Sequence, residues 1–167
     1  MESLALKEDY SNGTQVNAQN SLQLIAFSIG EQTYGDAAVE VFLTGGYLYP
    51  QSGLLVGPLS ASNLAEYRAN CAFLSVGGIC EDGVFNTNEF VVESERMMIQ
   101  GADKVVVLAD HSKIGRRSMC RICGLDGIDT LITDAFSENV DALKALADAG
   151  VNVVTVNVAG GNGREAR

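Results

Sequence analysis

No apolar run in this chain approaches the ~20 residues that a helix needs to cross a bilayer. The N-terminus, M-E-S-L-A-L-K-E-D-Y, carries acidic residues and no long apolar stretch, which argues against a secretory signal and predicts a cytoplasmic protein. Basic residues are scarce. There are 11 Lys plus Arg against 21 Asp plus Glu, a formal net charge of −10. Phosphate contacts from Lys and Arg dominate nucleic-acid affinity, and no basic helix or tail is present, so this chain alone is expected to be a poor DNA or RNA binder. Histidine occurs once, as His111. A zinc site built on the pair Cys120-Arg121-Ile122-Cys123 would need a second such pair or further histidines, so no metal is expected. Redox C-x-x-C pairs open a helix after a strand, whereas this pair is predicted to lie in a short polar connection. Cys71, Cys80, Cys120 and Cys123 therefore read as reduced, mostly structural thiols. There is no G-x-S-x-G elbow, no P-loop and no G-x-G-x-x-G, so neither a serine-hydrolase site nor a nucleotide or other cofactor site is indicated.

What is present suits a globular domain. The 167 residues are 47% hydrophobic and 19% charged, enough for one domain that buries roughly 70% of its unfolded surface. Residues 1–19 read as a poorly structured leader. Asn20-Ser21 then caps a helix with apolar positions at Leu22, Leu24, Ile25 and Ile29. Val39–Leu43 is a predicted strand followed by Thr44-Gly45-Gly46. Gly57-Pro58 opens a helix to about Arg68. Cys71–Val76 is an unbroken apolar strand that ends in Gly77-Gly78, and a helix runs from about Glu89 to Gln100. Strands Lys104–Ala109, Ile128–Thr133 and Val151–Val156 follow, the last two separated by a helix capped by Ser137. Residues 159–167 read as a disordered tail. Alternation of strand and helix predicts an α/β fold, a mostly parallel sheet with helices on both faces.

Residues Lys104 to Gly115, K-V-V-V-L-A-D-H-S-K-I-G, are the most informative stretch. A β-branched run without alternation suits a strand buried on both faces. In open α/β sheets, ligands bind beyond the carboxyl ends of such strands. Asp110 offers a carboxylate to hydroxyls there, and Lys113 an ammonium to an anion. The plain alternative is that Asp110 caps the turn and Lys113 is solvated. Lys113, Arg116, Arg117 and Arg121 also form a basic knot in an acidic chain, a candidate anion site. Gly45-Gly46 and Gly77-Gly78 end two other strands and can present backbone N–H groups to a ligand, as can the helix opened by Asn20-Ser21. Together these features favour a small, polar, anionic ligand such as a sugar phosphate. Support for catalysis is thin. Ser112 beside His111 does not make a nucleophile–base pair by adjacency. Glu93 and Glu95, two apart on a helix, face different ways and read as solvated or structural. No catalytic residue is assigned.

The blocks N-C-A-F-L-S-V-G-G-I-C-E-D-G-V-F-N, E-R-M-M-I-Q-G-A-D-K-V-V-V-L-A-D-H-S-K-I-G and G-L-D-G-I-D-T-L-I-T-D resemble the C-terminal sensor domain of DeoR-type bacterial transcriptional regulators. The earlier Q-N-S-L-Q-L-I-A, L-T-G-G and G-P-L-S resemble it too, in the same order, so the likeness runs from Val16 to Val158. The resemblance implies a three-layer fold akin to ribose-5-phosphate isomerase and the coenzyme A transferases, with the sensor domain over residues 20–158. It implies binding of a phosphorylated sugar or related metabolite as effector, coupled in an oligomer to operator binding by an N-terminal winged helix-turn-helix. Carried over by motif, the ligand residues are Asn20, Ser21, Gly45, Gly46, Gly77, Gly78, Asp110 and Lys113. Two departures stand out. No helix-turn-helix segment is found. The family's first strand, with its aspartate-serine-glycine-threonine-threonine phosphate loop, is also not found; Ser11-Asn12-Gly13-Thr14 is only an echo. A sheet without that strand would expose apolar faces and edges for a partner subunit to cover. Two other readings stay open, a sugar-phosphate isomerase-like enzyme with Asp110 or Glu95 as base, and a ligand-free oligomerisation module.

Overall fold

The computed structural model describes residues 42–49, 54–135 and 137–156. The expected leader, the helix after Asn20-Ser21, most of the strand Val39–Leu43 and the expected tail lie outside the described residues. Phe42 and Leu43, which close that predicted strand, are exposed and carry no strand.

An antiparallel hairpin comes first, β1 (Tyr47–Tyr49) against β2 (Leu54–Val56). Helix α1 (Pro58–Ala65) starts with Pro58 in its first turn, where the missing N–H costs nothing. It stops three residues short of the predicted end. Strand β3 (Ala72–Ser75) leads into a second hairpin, β4 (Gly78–Cys80) and β5 (Gly83–Asn86), where no strand was expected. Helix α2 (Glu89–Gly101) is capped by Asn88, whose side-chain oxygen accepts from the Phe90 N–H at 2.9 Å. Then come β6 (Val105–Leu108), β7 (Cys120–Cys123), β8 (Thr130–Asp134), helix α3 (Val140–Asp148) and β9 (Asn152–Val156).

The expected mostly parallel α/β sheet is present, with β3, β6, β8 and β9 paired in that order, every pair parallel. A smaller antiparallel sheet joins β4, β5 and β7. The pair Cys120 and Cys123 thus lies on strand β7 rather than in a polar connection. Three residues along a strand span about 10 Å, beyond the ~7 Å limit for bridging Cα atoms, so the two thiols cannot join in this conformation.

Register places Leu74, Val107 and Leu131 in one row across the main sheet, each at most 2% exposed. Val92 of α2, Leu146 of α3, and Ile79, Val84 and Ile122 of the small sheet pack onto the same core. Each such fully buried side chain contributes roughly 1.5–3 kcal/mol. Burial on β6 alternates: Val105 and Val107 are buried, Val106 and Leu108 only half-buried. Phe73, beside Val106 in register, is 53% exposed. The unbroken apolar run therefore does not produce a strand equally buried on both faces.

Candidate functional site

Because β3, β6 and β8 run parallel as neighbours, their carboxyl ends share one edge of the sheet. The segment after β6 builds the site. Asp110 leaves the strand with extended backbone, and its Oδ1 accepts from the Ser112 N–H at 2.8 Å. That bond caps a 3-10 turn over His111–Lys113, closed by the Lys113 N–H donating to the Asp110 carbonyl at 3.0 Å. The structural alternative weighed for Asp110 is thus realised by one of its oxygens. Lys113 is half-buried and has no ion pair among the described residues.

The turn is pinned from two sides. Toward β4, the Gly115 N–H donates to the Ile79 carbonyl at 2.8 Å, and Ile79 and Ile114 bridge in parallel. This brings Gly77-Gly78 and the Lys113 turn together. Gly78, however, faces protein: a Cβ there would lie 2.5 Å from the Arg116 carbonyl oxygen. Gly77 donates its N–H to the Phe85 carbonyl at 2.8 Å. The expectation that both N–H groups face a ligand is corrected accordingly for Gly77, and Gly78 is a close-approach glycine. Gly45 and Gly46 sit against α1. Gly46 has φ +103°, and a Cβ on it would lie 2.7 Å from the Val56 carbonyl oxygen. Thr44 beside them bonds Ser60 Oγ at 2.9 Å, and Asn63 donates to the Thr44 carbonyl at 2.8 Å. Asn20 and Ser21 lie outside the described residues.

Toward β8, Asp134 takes hold of His111 twice. Its Oδ1 accepts from the His111 backbone N–H at 2.6 Å, and its Oδ2 lies 2.5 Å from the ring Nδ1. Desolvation acts to raise the Asp134 pKa, but the side-chain and backbone hydrogen bonds from His111 outweigh it and hold the carboxyl below the usual carboxylate range. Asn139, at the cap position of α3, makes no cap bond; its amide donates to the His111 carbonyl at 2.7 Å. Sequence reading gave neither Asp134 nor Asn139 a role. The available signal was a second apolar strand ending in aspartate.

The basic knot does not act as one group. Arg117 pairs with Asp82 on the hairpin turn, and Arg121 points along β7 toward Gly124. A cleft of about 250 Å³ opens beside Gly115 and Arg117 against Ala142 and Leu146. Glu81 and Asp82 line it, so it is ill suited to an anion. Glu95 departs most from expectation. It is 5% exposed on α2, with Oε1 accepting from Asn86 Nδ2 at 2.9 Å and Oε2 unbonded among the described residues. Burial pushes its pKa up to about 8, against the opposing pull of the Asn86 bond. Its burial on α2 and its bond to Asn86 fit a structural position, and it is not part of the Asp110 turn.

Comparison with known proteins gives the family of the domain. Residues 15–135 match the family described as the DeoR C terminal sensor domain. The chain is 35% identical over 144 residues to the HTH-type transcriptional regulator GlpR of Haloferax volcanii, covering 86% of this chain and 54% of that protein. It is 35% identical over 119 residues to a putative aga operon transcriptional repressor of Escherichia coli O157:H7, covering 71% and 44%. It is 28% identical over 109 residues to the glycerol-3-phosphate regulon repressor of Escherichia coli K12, covering 65% and 43%. The chain spans about half the length of these curated relatives. With a motif order, a parallel sheet and a family match over residues 15–135 all in accord, this chain belongs to the DeoR C-terminal sensor domain family.

Proposed function

We propose that the chain senses a phosphorylated sugar or a related small anion, and that in the intact protein this controls transcription from the cytoplasm. Operator contact is assigned to sequence outside the sensor domain, and the working state to a homo-oligomer. The observation that carries this reading is the Asp110–Lys113 turn at the carboxyl end of β6, tied to β4 by Gly115 and to β8 by Asp134. Such a turn holds a carboxylate and an ammonium that has no ion pair among the described residues, the pair a polyhydroxylated anion requires. The printed name of one relative, a glycerol-3-phosphate regulon repressor, supports the same ligand class. In this reading Lys113 neutralises the phosphate, and the second oxygen of Asp110 accepts from a hydroxyl. Asn20, Ser21, the Gly45-Gly46 corner and Gly78 complete the proposed set. Gly78 and Gly46 serve by letting backbones approach, which lowers their standing as direct donors. No enzymatic activity is assigned.

Isothermal titration against a pentose 5-phosphate, a hexose 6-phosphate, glycerol 3-phosphate and inorganic phosphate tests this. At least one sugar or polyol phosphate binds, and Lys113→Ala weakens it by ~1–3 kcal/mol if the contact is partly desolvated. An unchanged affinity removes Lys113 from the site. Absence of binding by a folded protein favours the ligand-free module, to which the structural engagement of Asp110, Gly46 and Gly78 already lends weight.

A further inference from the structure

We infer that the outer edge of β9 is the seam at which two copies of this chain join, their β9 strands pairing antiparallel about a twofold axis through Val154. The inference rests on the homo-oligomer in the reading above and assigns it a surface.

β9 closes one side of the main sheet, and among the described residues no strand lies beyond it. Its ladder to β8 fixes which backbone groups face out. The Asn152 N–H donates to the Asp129 carbonyl at 3.0 Å, and the Val156 carbonyl accepts from the Ala135 N–H at 3.0 Å. Asn152, Val154 and Val156 therefore direct their backbone groups to β8, and alternation turns those of Val153 and Thr155 outward. The strand is exposed along its length except at Val153, which is half-buried. Edge strands normally carry a device against pairing, such as a Lys, a Pro or a bulge. N-V-V-T-V has neither Lys nor Pro, and its register with β8 runs unbroken from Asn152 to Val156.

A second copy of the same strand fits this edge on two counts. The first is geometry. Two outward residues placed symmetrically about Val154 are self-complementary: Val153 of one copy faces Thr155 of the other, and the two exchange both N–H···O bonds. Val154 then meets its own copy across the axis, in the closer, non-hydrogen-bonded position, and Val156 faces Asn152. Val154 and Val156 are 39% and 46% exposed in the single chain, and such a seam covers part of that surface. The second count is charge. Two chains of net charge −10 repel, and they approach best where neither presents a charge; β9 carries none. The sequence that follows β9 is a poor competitor for the edge, since Gly160 to Arg167, G-G-N-G-R-E-A-R, has no β-branched or large apolar residue.

Mass and cross-linking test the seam. Sedimentation equilibrium of the wild-type chain gives at least twice its monomer mass. Thr155→Pro removes an N–H that β8 does not use, so circular dichroism stays that of the wild type while self-association weakens tenfold or more. Val154→Cys stands opposite its own copy at about 4.5 Å between Cα atoms, within disulfide range, and gives a covalent dimer under mild oxidation. Peptide mapping places that link at position 154, apart from Cys71, Cys80, Cys120 and Cys123. Val156→Cys is the control: its copy lies four positions along the strand, ~13 Å away, and it stays unlinked. Should Thr155→Pro misfold, the two cysteine variants still decide. A monomeric wild type, a dimer that folded Thr155→Pro leaves intact, or equal linking by both cysteine variants overturns the inference. A monomer whose Val153 and Thr155 amides resist hydrogen exchange overturns it too, and gives the edge to another segment of this chain. A dimer that binds none of the four phosphates overturns the effector reading and leaves the seam standing; a monomer that binds one does the reverse.

Discussion

Replacing Glu95 with Gln removes most of the pH dependence of stability between pH 4.5 and about 8. The folded carboxyl titrates near 8, against 4.5 in the unfolded chain. A raised pKa means that the folded state holds the proton more tightly. The stability it contributes is fully present below 4.5 and is lost as pH rises through 8. The span corresponds to roughly 5 kcal/mol at its upper limit. Gln keeps an oxygen for the Asn86 amide and has nothing to ionise. Urea unfolding at pH 5, 6.5 and 8 therefore yields a falling series for the wild type and a level one for Glu95→Gln, with the variant the more stable at pH 8. Parallel series would show that Glu95 ionises normally and that its burial is relieved by local opening. Other shifted groups leave this window clear. Asp134, with its lowered pKa, adds stability that is lost only as pH falls below the ordinary carboxylate range. Burial, then the Asp126 charge, pushes the Cys123 thiol up to about 11, so its effect begins above pH 9.

Gly78→Ala destabilises the protein and weakens ligand binding together. A methyl at this position lies 2.5 Å from the Arg116 carbonyl oxygen and 2.9 Å from its carbon, and backbone cannot swing aside as a flexible side chain does. Forced insertion into a packed contact costs ~1–3 kcal/mol. Arg116 is three residues beyond Lys113 on the turn pinned to β4 through Gly115 and Ile79. Displacing it moves the ammonium, so affinity for the proposed anionic ligand falls although a Cβ on Gly78 would meet protein. Urea denaturation and titration calorimetry on one preparation check both halves. A variant with full stability and lost affinity would instead make Gly78 a direct donor to the ligand.

The main sheet was legible because its strands are apolar runs closed by glycine or aspartate: Ala72–Ser75 and Val105–Leu108 fall within the predicted spans, and Thr130–Asp134 runs one residue past the predicted end at Thr133. The short strands of the small antiparallel sheet were not. β4 and β5 carry Gly78 and Gly83, which read as turn residues, and β7 hides inside a cysteine motif. The site divides the same way. Asp110 and Lys113 are marked by a polar cluster after an apolar strand. The bond between His111 and Asp134 spans 23 residues and exists only because β6 and β8 are neighbours. No local signal encodes that adjacency. Glu95 was partly legible: it lies four residues after Val91 and three after Val92, both buried on α2, so helical spacing already placed it on the apolar side. Its two-residue spacing from Glu93 left a solvated and a structural position both open.

The amide of Asn139 faces away from the helix it precedes. Most helices begin with a side chain that satisfies their own first N–H groups; α3 begins with one that grips the His111 carbonyl. The opening turn of α3 and the turn after β6 are therefore one mechanical unit. Whatever steadies the imidazole steadies the start of α3, and whatever frays α3 loosens the imidazole.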